Sequence, residues 1–96
     1  MILYYDKQGK EIKDTLVWAK LFEDRDYKII KQENVGKYQI STVWLGLDHS
    51  FDGGKPLIFE TMVFEGKGKY KDYQYRYCTY DEALEGHQQV VNEIKK

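Results

Sequence analysis

Hydrophobic positions along the chain switch between the two-residue period of strands and the longer period of helices, and each switch marks an element. Ile2 to Tyr5 reads as a short strand, followed by a turn at Asp6-Lys7-Gln8-Gly9 and a second extended piece around Lys10 to Ile12, a small hairpin or an edge strand. Asp14 is placed to cap a helix running to about Glu23, whose Val17, Trp18, Leu21 and Phe22 form one stripe that should pack on a sheet. Tyr27 to Val35 and Tyr38 to Leu47, separated by Gly36, read as an antiparallel pair. In the second of these strands Tyr38, Ile40, Thr42 and Trp44 share a face, while Val43, Leu45 and Leu47 occupy the other.

Leu57 to Phe64 carries apolar residues on both faces and therefore belongs in the middle of a sheet, with Pro56 barring its backward extension. A hairpin tip at Glu65 to Lys69 leads into a strand from Tyr73 to Cys78. Thr79 and Glu82 have capping-box spacing, and Ala83, Leu84, His87, Val90, Val91 and Ile94 then keep a helical period to the end. Connections between the later strands are too short for parallel crossovers, so the sheet must be antiparallel. The fold expected is α+β: a twisted antiparallel sheet of about four to five strands with two helices packed on one face, in a single domain spanning 1–96.

Composition narrows the function classes. Lys and Arg total 15 against 16 Asp and Glu, so a net charge of -1 offers no field to hold a polyanion, and nucleic acid is disfavoured as a partner. No run approaches the roughly 20 apolar residues of a membrane span, and the chain has no signal-peptide core. The single cysteine, Cys78, cannot close an intramolecular disulfide, which fits the reducing cytoplasm. Spacings such as HxxxH, HExxH and CxxC are absent, so neither a metal nor another cofactor is expected.

Chemically versatile side chains gather in the loop Leu47 to Pro56, where Asp48 adjoins His49 and is followed by Phe51, Asp52 and Gly53-Gly54. A carboxylate beside an imidazole can orient a base, yet adjacent residues at a strand end point apart, and an Asx-type turn closed by Asp48 is the structural reading. Glu60 lies inside an apolar run and needs a partner, for which Arg76 on the next strand is the candidate. His87 falls on the apolar face of the last helix, which suggests a buried histidine hydrogen-bonded to a strand or loop, and Gly86 beside it suggests close approach of another backbone. Tyr73, Tyr75 and Tyr77 alternate on one strand, either as a core face with hydroxyls at the rim or as a recognition surface.

Two blocks, Ser41-Thr42-Val43-Trp44-Leu45-Gly46-Leu47-Asp48-His49 and Ile58-Phe59-Glu60-Thr61-Met62-Val63-Phe64, resemble a small protein family found in bacteriophages and prophages. The similarity extends to the Trp18-to-Asp24 helix and to Glu82-Ala83-Leu84-Glu85-Gly86-His87. That family favours a glycine-rich, two-proline loop where this chain has Phe51 to Pro56, so Asp52 and Lys55 are departures that weaken any role for Asp52 as a ligand. The resemblance implies phage origin and an accessory role in the host cytoplasm: binding a host or phage protein, in the manner of an inhibitor of host machinery or defence. On this reading the contact residues are Trp44, Asp48, His49, Phe51, Glu60, Tyr75, Arg76 and His87, and a homo-oligomer is an open possibility. The rival expectation is a small-ligand or hydrolytic pocket formed where Asp48, His49, Glu60 and His87 converge.

Overall fold

The computed structural model describes residues 3–48, 54–65 and 68–96, with side-chain detail for all of these except 68–73. Strands β1 (Tyr4–Tyr5) and β2 (Glu11–Ile12) form a two-stranded ribbon, and helices α1 (Thr15–Glu23) and α2 (Arg25–Lys28) follow. Strands β3 (Ile29–Val35), β4 (Tyr38–Trp44), β5 (Phe59–Glu65) and β6 (Gly68–Tyr77) then build an antiparallel sheet in the order β3-β4-β5-β6, and helix α3 (Tyr80–Lys95) closes the chain. The fold is α+β as expected, with β5 internal and the helices laid on one face.

Caps set the helix boundaries. Asp14 accepts the Leu16 amide at 2.9 Å to start α1, and the Thr79 hydroxyl and Glu82 carboxylate satisfy each other's backbone amides at 3.1 Å to start α3. The chain from Tyr27 was expected to be extended, but Tyr27 and Lys28 end a one-turn helix. Asp24 causes this: its side chain accepts from the amides of Asp26 and Tyr27, which holds the chain helical for one more turn before β3. Strand β4 also stops short of Leu47, because Gly46 takes a left-handed φ of +75° and turns the chain. A Cβ there would lie 2.5 Å from the Trp44 ring and 2.6 Å from the Trp18 indole nitrogen, so glycine is required twice over.

The covered face of the sheet carries Ile40, Thr42 and Trp44 from β4 and Phe59, Thr61 and Val63 from β5, all buried. One apolar cluster joins Ile40 and Val63 to Val90 and Val91 of α3. A second joins Trp44, Ile58, Phe59 and Ala83 to half-buried rings and aliphatic groups of β1, β2, α1 and α2. Trp18, Leu21 and Phe22 of the α1 stripe pack there, but Val17 is 48% exposed, because the helix meets the core only at its inner edge. Both tryptophans are tied by their indole N–H groups, Trp44 to the Tyr5 carbonyl at 2.9 Å and Trp18 to the Leu45 carbonyl at 3.1 Å.

Candidate functional site

Between the two apolar clusters lies a layer of polar side chains to which every strand of the main sheet contributes. The Thr42 and Thr61 hydroxyls meet at 2.5 Å across β4 and β5, which are in register at those residues. Thr42 also meets Nδ1 of His87 at 2.7 Å, and the other ring nitrogen, Nε2, meets the Glu33 carboxylate of β3 at 2.8 Å. Tyr77 of β6 completes the row: its hydroxyl hydrogen-bonds Thr61, and burial, partly offset by that bond, holds its pKa above the ordinary tyrosine value.

The row is anchored at its Glu33 end. A carboxylate acceptor at Glu33 takes its hydrogen bond from Nε2–H, while the donor and acceptor between Nδ1 and Thr42, and between Thr42 and Thr61, follow from the ring's tautomer. Among the described residues no buried side-chain nitrogen or oxygen lacks a partner.

A hydroxyl, an imidazole and a carboxylate in sequence invite comparison with a nucleophilic triad. Burial decides against it. Thr42, Thr61 and His87 are each 0% exposed, so no substrate can reach the hydroxyl, and Glu33 is the only described outlet toward water among the three bonded groups at that end. The buried histidine bonded to a strand was legible from the sequence. Its partners Thr42, Thr61 and Glu33 were not singled out, although a threonine midway along each of two adjacent inward-facing apolar series was the available signal.

The opposite face of the sheet carries the second ionic constellation. Glu60 is 6% exposed and its carboxylate accepts from Arg76 Nε at 3.0 Å and from Gln74 Nε2 at 2.9 Å. The pairing expected between β5 and β6 is therefore present, with Glu60 opposite Arg76 in the ladder. The strand alternation that joins them also separates Glu60 from His87, which points into the core from the other side of the sheet. A common pocket for Glu60 and His87 is thereby removed.

The remaining expected residues are dispersed. Trp44 is fully buried and has no surface to offer a partner, because its place in the inward series of β4 puts it beneath α1 and α2. Asp48 is exposed and accepts the Leu57 amide, nine residues on, at 3.2 Å, while the Asx-type turn expected after it lies outside the described residues. His49 and Phe51 lie outside the described residues. Tyr75 is 43% exposed on the helix-covered face of β6, with Arg76 and Gln74 on the other, so the β6 flank displays groups from both faces.

Gly86 was expected to face another backbone; its neighbour is instead the Tyr77 ring, which occupies the space a Cβ would fill. Burial raises the pKa of the Cys78 thiol, with Glu82 adding to the effect, so the sulfur is poorly suited to act as a nucleophile. Among the described residues no group of three His, Cys, Asp or Glu side chains is arranged to hold a metal, and no helix is long and apolar enough to cross a membrane. Concavities among the described residues include the following two. One of about 570 Å³ lies between the β1–β2 turn and the start of α3, lined by Lys7, Gln8, Gly9 and Cys78 to Asp81. The other, about 120 Å³, is a groove between β6 and α3. Compared with family models, with curated proteins and with solved structures, the chain matches none of them.

Proposed function

We propose that the chain is a non-enzymatic accessory protein that binds a protein partner through the flank of β6. The observation that carries this reading is the disposition of its reactive groups. His87, Thr42, Thr61 and Glu33 satisfy one another inside the fold, and Glu60 is held by Arg76 and Gln74, so none stands in a concavity as an acid, base or nucleophile. The β6 flank offers an exposed tyrosine beside a half-exposed arginine, residue types that interfaces favour. The resemblance of the 41–64 block to a bacteriophage and prophage family supports a host or phage protein as the partner and the host cytoplasm as the place of action.

Affinity capture from lysates of infected and uninfected host cells, repeated with a Tyr75→Glu variant, tests the reading. A protein recovered reproducibly by the parent chain and lost with the variant is the expected result. Recovery of no reproducible partner, or equal recovery by a folded Tyr75→Glu variant, would refute it.

A further inference from the structure

We propose that β6 recruits its partner by strand addition: an extended peptide pairs with the outer edge of the sheet and places one aliphatic side chain in the groove between β6 and α3. The proposal rests on the partner-binding reading above and specifies the chemistry of the partner.

The first observation is the direction of the backbone. The Leu45 amide donates to the Ile58 carbonyl at 2.7 Å, and the β4–β5 register continues without irregularity from Trp44↔Phe59 to Tyr38↔Glu65. By the alternation of an antiparallel ladder, Glu60 and Met62 turn their backbone groups toward β4, while Phe59 and Thr61 turn theirs toward β6. Thr61 is opposite Tyr75 and Phe59 opposite Tyr77, so Tyr75 and Tyr77 bond inward. Gln74 and Arg76 must then direct their N–H and C=O groups outward from an edge strand. The ladder is irregular between Met62 and Phe64 and ends at Tyr77, which confines the regular edge to Gln74–Tyr77. This is enough for a short peptide strand and too little for an extended sheet-to-sheet contact.

The second observation is the groove beside that edge. It is lined by Tyr75, Tyr77, Gly86, Gln89, Val90 and Glu93, with the Tyr77 ring seated against the helix where a Gly86 side chain would stand. A dry cavity of about 150 Å³ holds benzene, so a space of about 120 Å³ fits one aliphatic side chain and excludes a second tyrosine ladder. That argues against β6 of another copy as the occupant. Strand addition beside a pocket for alternate side chains is an established recognition mode.

The third observation is charge. Glu93 is the one ionisable carboxylate among the groove-lining residues, and Arg76 is already engaged by Glu60. Two residues of a strand advance about 7 Å, close to the roughly 6 Å between residues four apart on a helix. A peptide whose aliphatic side chain enters beside Gln89 therefore brings the residue two positions away toward Glu93, where Lys or Arg is favoured.

Selection from a surface-displayed library of random seven-residue peptides tests the proposal, with the parent chain and the variants Gln74→Pro, Gln74→Ala and Glu93→Lys as baits. Proline removes the outward N–H at a position where an edge strand tolerates it, whereas Gln74→Ala removes only the side-chain bond to Glu60. The expected result is enrichment of an aliphatic residue with Lys or Arg two positions away from it. Binding should fall at least tenfold with Gln74→Pro, be kept by Gln74→Ala, and weaken about two- to fivefold with Glu93→Lys. If Gln74→Pro does not fold, amide exchange on the parent chain serves instead, with the Gln74 and Arg76 amides slowed when a selected peptide binds.

Absence of enrichment overturns strand addition, as do selected peptides that ignore Gln74→Pro or leave those two amides unprotected. A parent chain that dimerises and becomes monomeric with Gln74→Pro would assign the edge to a second copy, which also overturns it. In each of these cases partner capture, with its dependence on Tyr75, still decides the broader reading separately.

Discussion

At the residue scale the molecule keeps two kinds of ionisable group out of chemistry by different means. Glu60 is held by charge-assisted hydrogen bonds, and its side chain is only 8% exposed while that of Arg76 is 32% exposed. Arg76→Ala should therefore cost about 3 kcal/mol, because it leaves a buried carboxylate with Gln74 alone. Adding Glu60→Gln should recover a good part of that loss, and urea unfolding of the two variants compares them directly. Tyr77 is kept protonated by burial. Its pKa is raised above 10.0, so the folded state holds the phenol proton more tightly than the unfolded state. That contribution is complete below pH 10 and is lost as pH rises through the folded value, because the unfolded chain then binds fewer protons. Tyr77→Phe should lose about 1 kcal/mol at pH 7 with its hydrogen bond to Thr61, yet show a shallower decline in stability between pH 9 and 11. A parallel decline in both proteins would contradict the assignment.

At the element scale the packing of α3 on β6 depends on one missing side chain. Gly86→Ala gains about 1 kcal/mol of helix propensity but drives a methyl into the Tyr77 ring, and overpacking of this kind costs about 1–3 kcal/mol. Net destabilisation is expected, and Gly86→Ala with Tyr77→Leu should be more stable than Gly86→Ala alone. Thermal melts of the pair test this. The sequence showed that Gly86 needed a close neighbour but named a backbone, since spacing along a helix says nothing about which ring lies across it. Local signals were legible: the Asp14 and Thr79 caps, the central place of β5, and the Glu60–Arg76 pair that follows from a short hairpin. Asp24 was missed as a cap because Tyr27 to Val35 already satisfied a strand pattern, and two hydrogen bonds from one carboxylate overrode it. Trp44 was read as part of a surface because it precedes the Asp48-His49 loop, whereas its alternation with Ile40 and Thr42 commits it to the core.

For the whole molecule the decisive feature is the polar layer that divides the core. Ile40, Val63, Val90 and Val91 lie on one side of it and Trp44, Ile58, Phe59 and Ala83 on the other, with Thr42, Thr61 and His87 between them. Register explains why this layer could not be read in advance: the three residues converge only once β4, β5 and α3 are aligned, and a slip of one residue would turn both threonines to the opposite face. The layer thus penalises every misaligned sheet, since the hydroxyls and the ring would lose their partners in a dry interior. Removing it piecemeal should be expensive. Thr42→Val leaves His87 Nδ1 and Thr61 each short of a partner and should cost about 2–3 kcal/mol, and His87→Leu should do comparable damage by stranding Thr42. Replacing all three at once with Thr42→Val, Thr61→Val and His87→Leu leaves only the hydroxyl of the half-buried Tyr77 without its partner in the layer. The two apolar clusters then merge, while Glu33, 32% exposed, returns to water and to Lys31 at 3.8 Å. The triple variant should accordingly be more stable than either single variant, a sign of strong non-additivity that denaturant midpoints would show. It should also give broader amide resonances in strands β4 and β5, because apolar packing alone no longer distinguishes the native register from its neighbours. Additive losses across the three substitutions would mean that the hydroxyls and the histidine act separately and that the layer is not a unit.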